Sequence, residues 1–440
     1  MSLRKTEEII EHVRAEMCGE KTMVAYRREG KDFTRQSRLR FERVGMMILR
    51  GHKMSIQNGL NKVFGGLGAV EEVVSAGAYS HARQKVKPEL FAHLNTIVCG
   101  DYYQKYEAEG GVKRWRGHRL IGMDGSYLNL PDTAKTREEY SVQTNQHAAS
   151  QQVQALAGVV YDLLNDIGLG IVLSKRQAEK NLLMGELWEK TREGDVIVMD
   201  RNFADYALIA FASAQRRHVA IRLQTKRFKE CQDFWSSDQA EEIITLHAPA
   251  SAMDFVREHQ LPSSLSIRLI RVVLDTGETE VLMTTLLDDL AYPASEFRAV
   301  YGFRWNQETF FDRLKNIFDL ERFSGTSICA IHQDVQGVFF LASLESILIK
   351  DAQANLHQTA LLSNSASQPR VNRSVSYVAL LDRIVPLLIG SLDTHVLLLE
   401  LHLLFQTNPS HPRPNRQFPR PKLKHSKRLH FLRYQKRIIA

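Results

Sequence analysis

The stretch that most constrains this chain is Tyr301-Gly302-Phe303-Arg304-Trp305-Asn306-Gln307-Glu308-Thr309-Phe310-Phe311-Asp312-Arg313-Leu314-Lys315. On a helical wheel of roughly 100° per residue, Tyr301, Arg304, Glu308 and Lys315 fall within about 60° of one another. Phe303, Phe310, Leu314 and Phe318 take the opposite side. One face suits packing and the other carries charge. A carboxylate with a cation one turn before it and another two turns after it stays ionised at neutral pH, which suits a metal ligand. The same spacing also describes an ordinary i,i+4 surface ion pair, worth about 0.3 kcal/mol. Residues upstream decide between the two readings.

Those residues read as a sheet. Arg119 to Leu130 is a short apolar run interrupted by Asp124 and closed by Pro131. An Asp inside a buried strand must be paired or must bind something. Gln151 to Leu164 and Ile167 to Leu173 follow, divided by the turn-like Asn165-Asp166, and the three segments predict an antiparallel meander. A helix is expected over about Asn181 to Arg192, with Leu182, Leu183, Leu187 and Trp188 as its apolar side. Next, Val196-Ile197-Val198-Met199 ends abruptly at Asp200, the pattern of a buried parallel strand that delivers a carboxylate at its C-terminal edge. A helix over Ala204 to Arg216 and a strand over Val219 to Leu223 complete a mixed α/β sheet. In a sheet of this order the first and fourth strands are neighbours, so Asp124 and Asp200 can meet and a later helix can bring Glu308 to them. Three converging carboxylates repel one another unless a cation is present. Two Mg²⁺ ions would meet that need and support phosphoryl transfer.

At 440 residues the chain exceeds one compact core. Residues 1–110 read as a helical domain and residues 111–350 as the α/β domain. The 108 positions between Asp200 and Glu308 are more than the sheet needs; Ser266 to Leu274, the turn Asp275-Thr276-Gly277 and Glu278 to Leu286 mark a hairpin within a β-rich insertion at 224–295. Residues 351–407 read as a C-terminal helical region and 408–440 as a basic tail without a fold of its own. The net charge of +8 lies in that tail: residues 401–440 hold ten Lys and Arg and no acid, which leaves the first 400 residues at −2. Such a tail points to a polyanion, nucleic acid above all. The four cysteines show no paired or metal-type spacing, the N-terminus has no apolar signal core, and charges break the apolar run near 380–405, so a soluble intracellular protein is expected. In the helical region, Ser80, His81, Arg83, Gln84 and Lys85 offer groups for phosphates or base edges, although exposed basic helices are commoner than recognition helices.

With these residues in place the sequence resembles the bacterial insertion-sequence transposases of the IS-four family, within the Asp-Asp-Glu group that has a ribonuclease-H-like core. Tyr301, Arg304, Glu308 and Lys315 meet the family's Tyr-x2-Arg-x3-Glu-x6-Lys signature in full, and Phe323-Ser324-Gly325 and Gln333-Asp334 follow it as in the family. Asp124-Gly125-Ser126 and the run Val196 to Met199 with Asp200-Arg201 are similar to its other two catalytic blocks. The resemblance covers about residues 30–350. It implies a ribonuclease-H-like mixed-sheet core with a mostly β insertion, a helical N-terminal domain that binds DNA ends, and C-terminal helices. It further implies a cut-and-paste DNA transposase that cleaves transposon ends and joins the freed 3′ ends to target DNA, with a DNA hairpin as a candidate intermediate. Asp124, Asp200 and Glu308 would hold two Mg²⁺, with Mn²⁺ able to substitute. Arg304, Lys315 and Arg201 would bind phosphates, and Tyr301 would contact the DNA backbone near the cut. Trp235, the only Trp of the insertion, is the candidate for stacking on a flipped base, with a buried core position as the competing reading. Glu179, Asp132, Asp205 and Asp312 read as solvated or capping groups. The implied partners are terminal inverted repeats, target DNA and a second copy in a synaptic dimer or larger assembly, in the bacterial cytoplasm at the nucleoid and not at a membrane. Two other functions fit the same residues: an inactive transposase-derived DNA-binding protein and a general nuclease. One departure is Asn202, which stands where the family usually has Gly; Asn tolerates left-handed backbone angles, so the turn is expected to survive.

Overall fold

A computed structural model describes residues 3–51, 55–144, 151–175, 182–225, 227–274, 277–363, 368–390 and 392–411. Glu179 and the tail from 412 onward lie outside the described residues. The chain forms two compact units, residues 103–313, and residues 1–102 with 314–440.

The unit 103–313 is built on one mixed sheet. Its strands are β1 (Leu120–Asn129), β2 (Ser141–Thr144), β3 (Gln151–Asp162), β4 (Ile167–Ser174), β5 (Val196–Met199), β6 (His218–Arg222), β7 (Glu241–His247), β8 (Ser264–Val273) and β9 (Thr279–Thr284). They are ordered β2-β3-β1-β5-β6-β9-β8-β7, and β4 pairs with β3 beside β2. β1, β3 and β4 make the antiparallel meander expected from the three segments and their turn, while β1, β5 and β6 run parallel. The α/β class and the adjacency of the Asp124 and Asp200 strands are therefore as read. β3 is buried from Ala155 to Asp162, where β1 flanks it on one side and β4 on the other. In the 224–295 stretch, the hairpin β8–β9 forms as expected and β9 pairs antiparallel with β6, so these strands continue the same sheet.

One element departs from expectation. Over 182–192 only Leu182 and Leu183 are helical, followed by a turn and the short 3₁₀ segment Trp188–Lys190. Leu182, Leu183, Leu187 and Trp188 are all buried as the apolar pattern requires. They reach the sheet by another route: a Cβ on Gly158 of β3 would lie 2.7 Å from Leu187 Cδ1 and 2.8 Å from Leu182 Cδ2, so both leucines fill one notch.

The other unit is helical. Leu3–Cys18 packs on Arg373–Leu388 and Thr394–Thr407, and Phe41–Arg50 packs on Ile328–Leu348 and Arg373–Leu388. Gly45 admits Met17, whose Cε would sit 2.6 Å from a Cβ there. The start of the tail is not without structure, because Pro409–Ser410 pairs with Arg370–Val371. Among the described residues no helix is long and apolar enough to cross a membrane.

Candidate active site

The sheet brings the two aspartates together by register. β1 and β5 pair as Leu120↔Val196, Ile121↔Ile197 and Gly122↔Val198. Continued by two residues, that register sets Asp124 level with Asp200 on adjacent strands, about 4.8 Å apart in a sheet. The other end is pinned by a buried bidentate pair, with Arg119 Nε donating to Asp195 Oδ1 at 2.8 Å and Nη2 to Oδ2 at 2.6 Å. Since β5 stops at Met199 while β1 runs on to Asn129, the edge of β1 beside Asp124 is left uncovered by its neighbour.

Asp124 accepts a 2.8 Å hydrogen bond from the Gly125 N–H. Burial pushes its carboxyl up to about 6; the Gly125 hydrogen bond and Arg304 oppose the rise, and the negative charges of Asp200 and Glu308 add to it. Both carboxylates therefore act on Asp124. Asp200 caps the 3₁₀ turn Arg201–Phe203, with Oδ1 accepting from Asn202 N at 2.7 Å and Oδ2 from Asn202 Nδ2 at 3.3 Å. Asn202 thus keeps the turn within 3₁₀ geometry by holding Asp200, and not through a left-handed backbone. Arg201 is exposed on the same turn.

The stretch Tyr301–Lys315 is not one regular helix. Helix Phe297–Gly302 ends at Phe303, helix Arg304–Asp312 follows, and Arg313–Ile317 forms a π-helical turn. A π turn takes more residues than an α turn, so positions after 313 leave the 100° wheel. Lys315 falls beyond that point, in the helical unit, where burial lowers its pKa. The packing face holds: Phe310, Leu314 and Phe318 are buried and Phe303 is half-buried. On the other face Arg304 Nη1 donates to Glu308 Oε1 at 2.7 Å, so the i,i+4 pair is formed. The Arg304 guanidinium also lies over the rings of Tyr301, at 5.5 Å, and Trp305, at 5.0 Å. Tyr301 is buried, and burial raises its pKa. Trp235 is half-buried, its indole Nε1 enclosed without a partner.

Several residues around this site escaped the sequence reading. Arg222 ends β6, and the register Met199↔Ile221, continued by one, sets it level with Asp200; it pairs with Glu280 at 2.8 Å. Its signal was present, an apolar run ending at a charge as in the preceding strand. Asn306, Gln307 and Arg313 dock the Glu308 helix on the β3–β4 hairpin: Asn306 Nδ2 donates to Leu163 O at 2.9 Å, Gln307 Nε2 to Val159 O at 3.4 Å, and Arg313 Nη1 to Asp166 Oδ2 at 2.9 Å. Phe310 stacks on Tyr161 with ring centroids 4.3 Å apart. No local pattern marks these three polar residues, because their partners are over 140 positions away.

Among the described residues no three His, Cys, Asp or Glu side chains close into a metal-sized group. The donor chemistry fits a hard divalent cation nonetheless. Asp124 and Asp200 are hard oxygen donors at level positions of neighbouring strands, and a bound cation would oppose the burial that is the main cause of the raised Asp124 pKa. Glu308 shares its oxygen with Arg304.

In the helical unit, Arg83 proves to be structural and not a DNA-reading residue. It is buried, donating through Nε to Gln333 Oε1 at 2.6 Å, through Nη1 to Ser324 Oγ at 2.5 Å, and through Nη2 to Asp334 Oδ1 at 2.7 Å and Ala330 O at 3.0 Å. The same Ser324, Gln333 and Asp334 stood out in the sequence.

Over 249 residues the chain is 20% identical to the transposase InsG for insertion sequence element IS4 of Escherichia coli (strain K12), covering 57% of this chain and 55% of that protein. The chain thus spans about half the length of that curated relative. Among solved structures, the cryo-EM structure of the piggyBac transposase synaptic complex with hairpin DNA aligns over 95% of this chain and 86% of that one, at 9% identity and a TM-score of 0.40, too distant to bear on the site. Residues 115–344, just over half of the chain and inclusive of Asp124, Asp200, Arg304 and Glu308, match the transposase DDE domain, and the chain belongs to that family.

Proposed function

We propose that this protein is a DNA transposase of the IS-four type, which cleaves the ends of its own element and joins the freed 3′ ends to target DNA. The observation that carries the reading is the β1–β5 register, which continued by two residues sets Asp124 level with Asp200. Asp124, Asp200 and Glu308 are the catalytic carboxylates. When bound to them, two Mg²⁺ ions, or Mn²⁺ in their place, would supply activation of a water or 3′-hydroxyl and offset charge on the leaving oxygen. Exposed Arg201 beside Asp200 and Arg304 beside Glu308 bind scissile-strand phosphates; the fork of a guanidinium fits two phosphate oxygens at once. Arg304 is held by Glu308 and by two aromatic faces, so it meets the DNA pre-oriented. Tyr301 and Lys315 are further candidates for phosphate contact, Lys315 as a point charge. The helical N-terminal region binds the DNA ends, and the protein works as a synaptic dimer or larger assembly in the cytoplasm.

The test is Mg²⁺-dependent cleavage of DNA carrying the inverted repeats that flank this gene. Glu308→Gln is expected to abolish cleavage while leaving binding to the repeats. Binding without cleavage by the unaltered protein would instead identify a DNA-binding descendant, and equal cutting of DNA without repeats a general nuclease.

A further inference from the structure

We propose that Gln307 is the positioning residue for Glu308 and that Gly122 is left without a side chain to receive it. This rests on the reading of Glu308 as a catalytic carboxylate. Gly122 and Asp124 are two apart on β1 and therefore share a face of the sheet. A Cβ on Gly122 would lie 2.3 Å from Gln307 Oε1, 2.9 Å from Leu163 Cδ2 and 3.2 Å from Gln307 Cδ, so the amide of Gln307 takes most of the volume a side chain there would need and Leu163 borders the rest. From the same position Gln307 Nε2 donates to the carbonyl of Val159 at 3.4 Å. Val159 is the residue that pairs with Asp124 across β1 and β3. The wedge thus rests on the two strands at the very step that carries the first aspartate, and the next residue on its helix is Glu308.

Gln307 is 1% exposed, and its Oε1 has no hydrogen-bond partner. A methionine or leucine would fill similar space without an orphaned acceptor, so stability does not explain the choice. Position does. An α-helix advances 1.5 Å and turns 100° per residue, so a slip of one residue would swing Glu308 away from Asp124. Asn306 on Leu163, Phe310 on Tyr161 and Arg313 on Asp166 secure the helix along the β3–β4 hairpin. Gln307 alone of these contacts meets β1, the strand of Asp124.

The test compares full-length protein with Gly122→Ala, Gln307→Ala and the double variant, alongside Glu308→Gln. Two readouts are taken: Mn²⁺ binding by electron paramagnetic resonance, and Mg²⁺-dependent cleavage of DNA bearing the flanking repeats. Gly122→Ala displaces the amide and is expected to cut cleavage by about 100-fold, the scale of a misplacement near 1 Å, and to weaken Mn²⁺ binding. Gln307→Ala alone loses about 10-fold. Removing Gln307 from the Gly122→Ala protein relieves the closest clash, leaving only Leu163 Cδ2, the end of a flexible side chain, to give way, and restores at least ten-fold in both readouts; a merely destabilising pair would show no such suppression. A double variant no better than Gly122→Ala overturns the proposal, as do single variants that match the unaltered protein. Should Gly122→Ala not fold, unchanged cleavage and Mn²⁺ affinity in Gln307→Ala overturn it. If Glu308→Gln cleaves as well as the unaltered protein, the transposase reading of Glu308 falls and takes this proposal with it.

Discussion

Replacing Arg83 with methionine is expected to destabilise the helical unit severely while leaving no specific defect in DNA recognition. Arg83 ends the helix Ala76–Arg83 and is spent on side chains of the segment 324–334. The two side chains of its ion pair with Asp334 are 6% and 8% exposed. Methionine keeps much of the volume but strands the Asp334 carboxylate, which retains only the Ser324 N–H and hydroxyl as donors at 2.7 Å. Removing one partner of a buried pair costs about 3–5 kcal/mol. For a unit of roughly 200 residues, each kcal/mol lowers the midpoint by about 2–4 °C, so a fall on the order of 10 °C is expected. Scanning calorimetry on the full chain measures it, and the double variant Arg83→Met/Asp334→Leu should recover part of the loss because neither charge is then left alone. A midpoint within about 2 °C of the unaltered protein, together with lost affinity for the flanking repeats, would show that Arg83 serves DNA and that the burial argument is wrong.

Asp124→Asn should stabilise the metal-free protein above pH 6. Burial raises the folded pKa from 3.8 to about 6, so the native state holds the proton more tightly and the unaltered protein loses stability as pH rises through that window, by roughly 3 kcal/mol. Calorimetry without divalent ions at pH 4 and pH 7.5 checks this, and an Asn variant that is weaker at both contradicts it. Arg119→Met should cost about 3–5 kcal/mol by stranding buried Asp195 and, by loosening the β1–β5 register, should reduce cleavage as well; denaturant unfolding and the cleavage assay read the two effects. Deleting residues 412–440, which carry all ten basic residues of the last forty, should flatten the salt dependence of DNA binding, and an unchanged slope would remove the tail from that role.

Much of the sheet was legible because strand signals are local. The apolar stretches in Gln151 to Leu164 and Val196 to Met199 state their burial in a few adjacent residues, and the structure places strands on both. The segment 182–192 shows the limit. Its apolar residues were identified correctly, but the place they fill, the notch at Gly158, lies on another element, and the segment turns where a helix was expected. The opening stretch divides in the same way. Its apolar and charged faces follow from spacing, whereas the break at Phe303 and the π turn at Arg313–Ile317 do not.

What the sequence by itself determined is the inventory: an α/β chain, three acids at 124, 200 and 308, and a cation four residues before the last of them. Residue type and period along the chain are enough for that. Only the tertiary structure decided how these groups are used. Arg83 looked like a DNA contact until Asp334, 251 positions away, took its charge, and Gln307, unmarked by any local pattern, stands where Gly122 has no side chain. Both depend on partners brought close by the fold, and proximity between distant positions is not written in any local pattern.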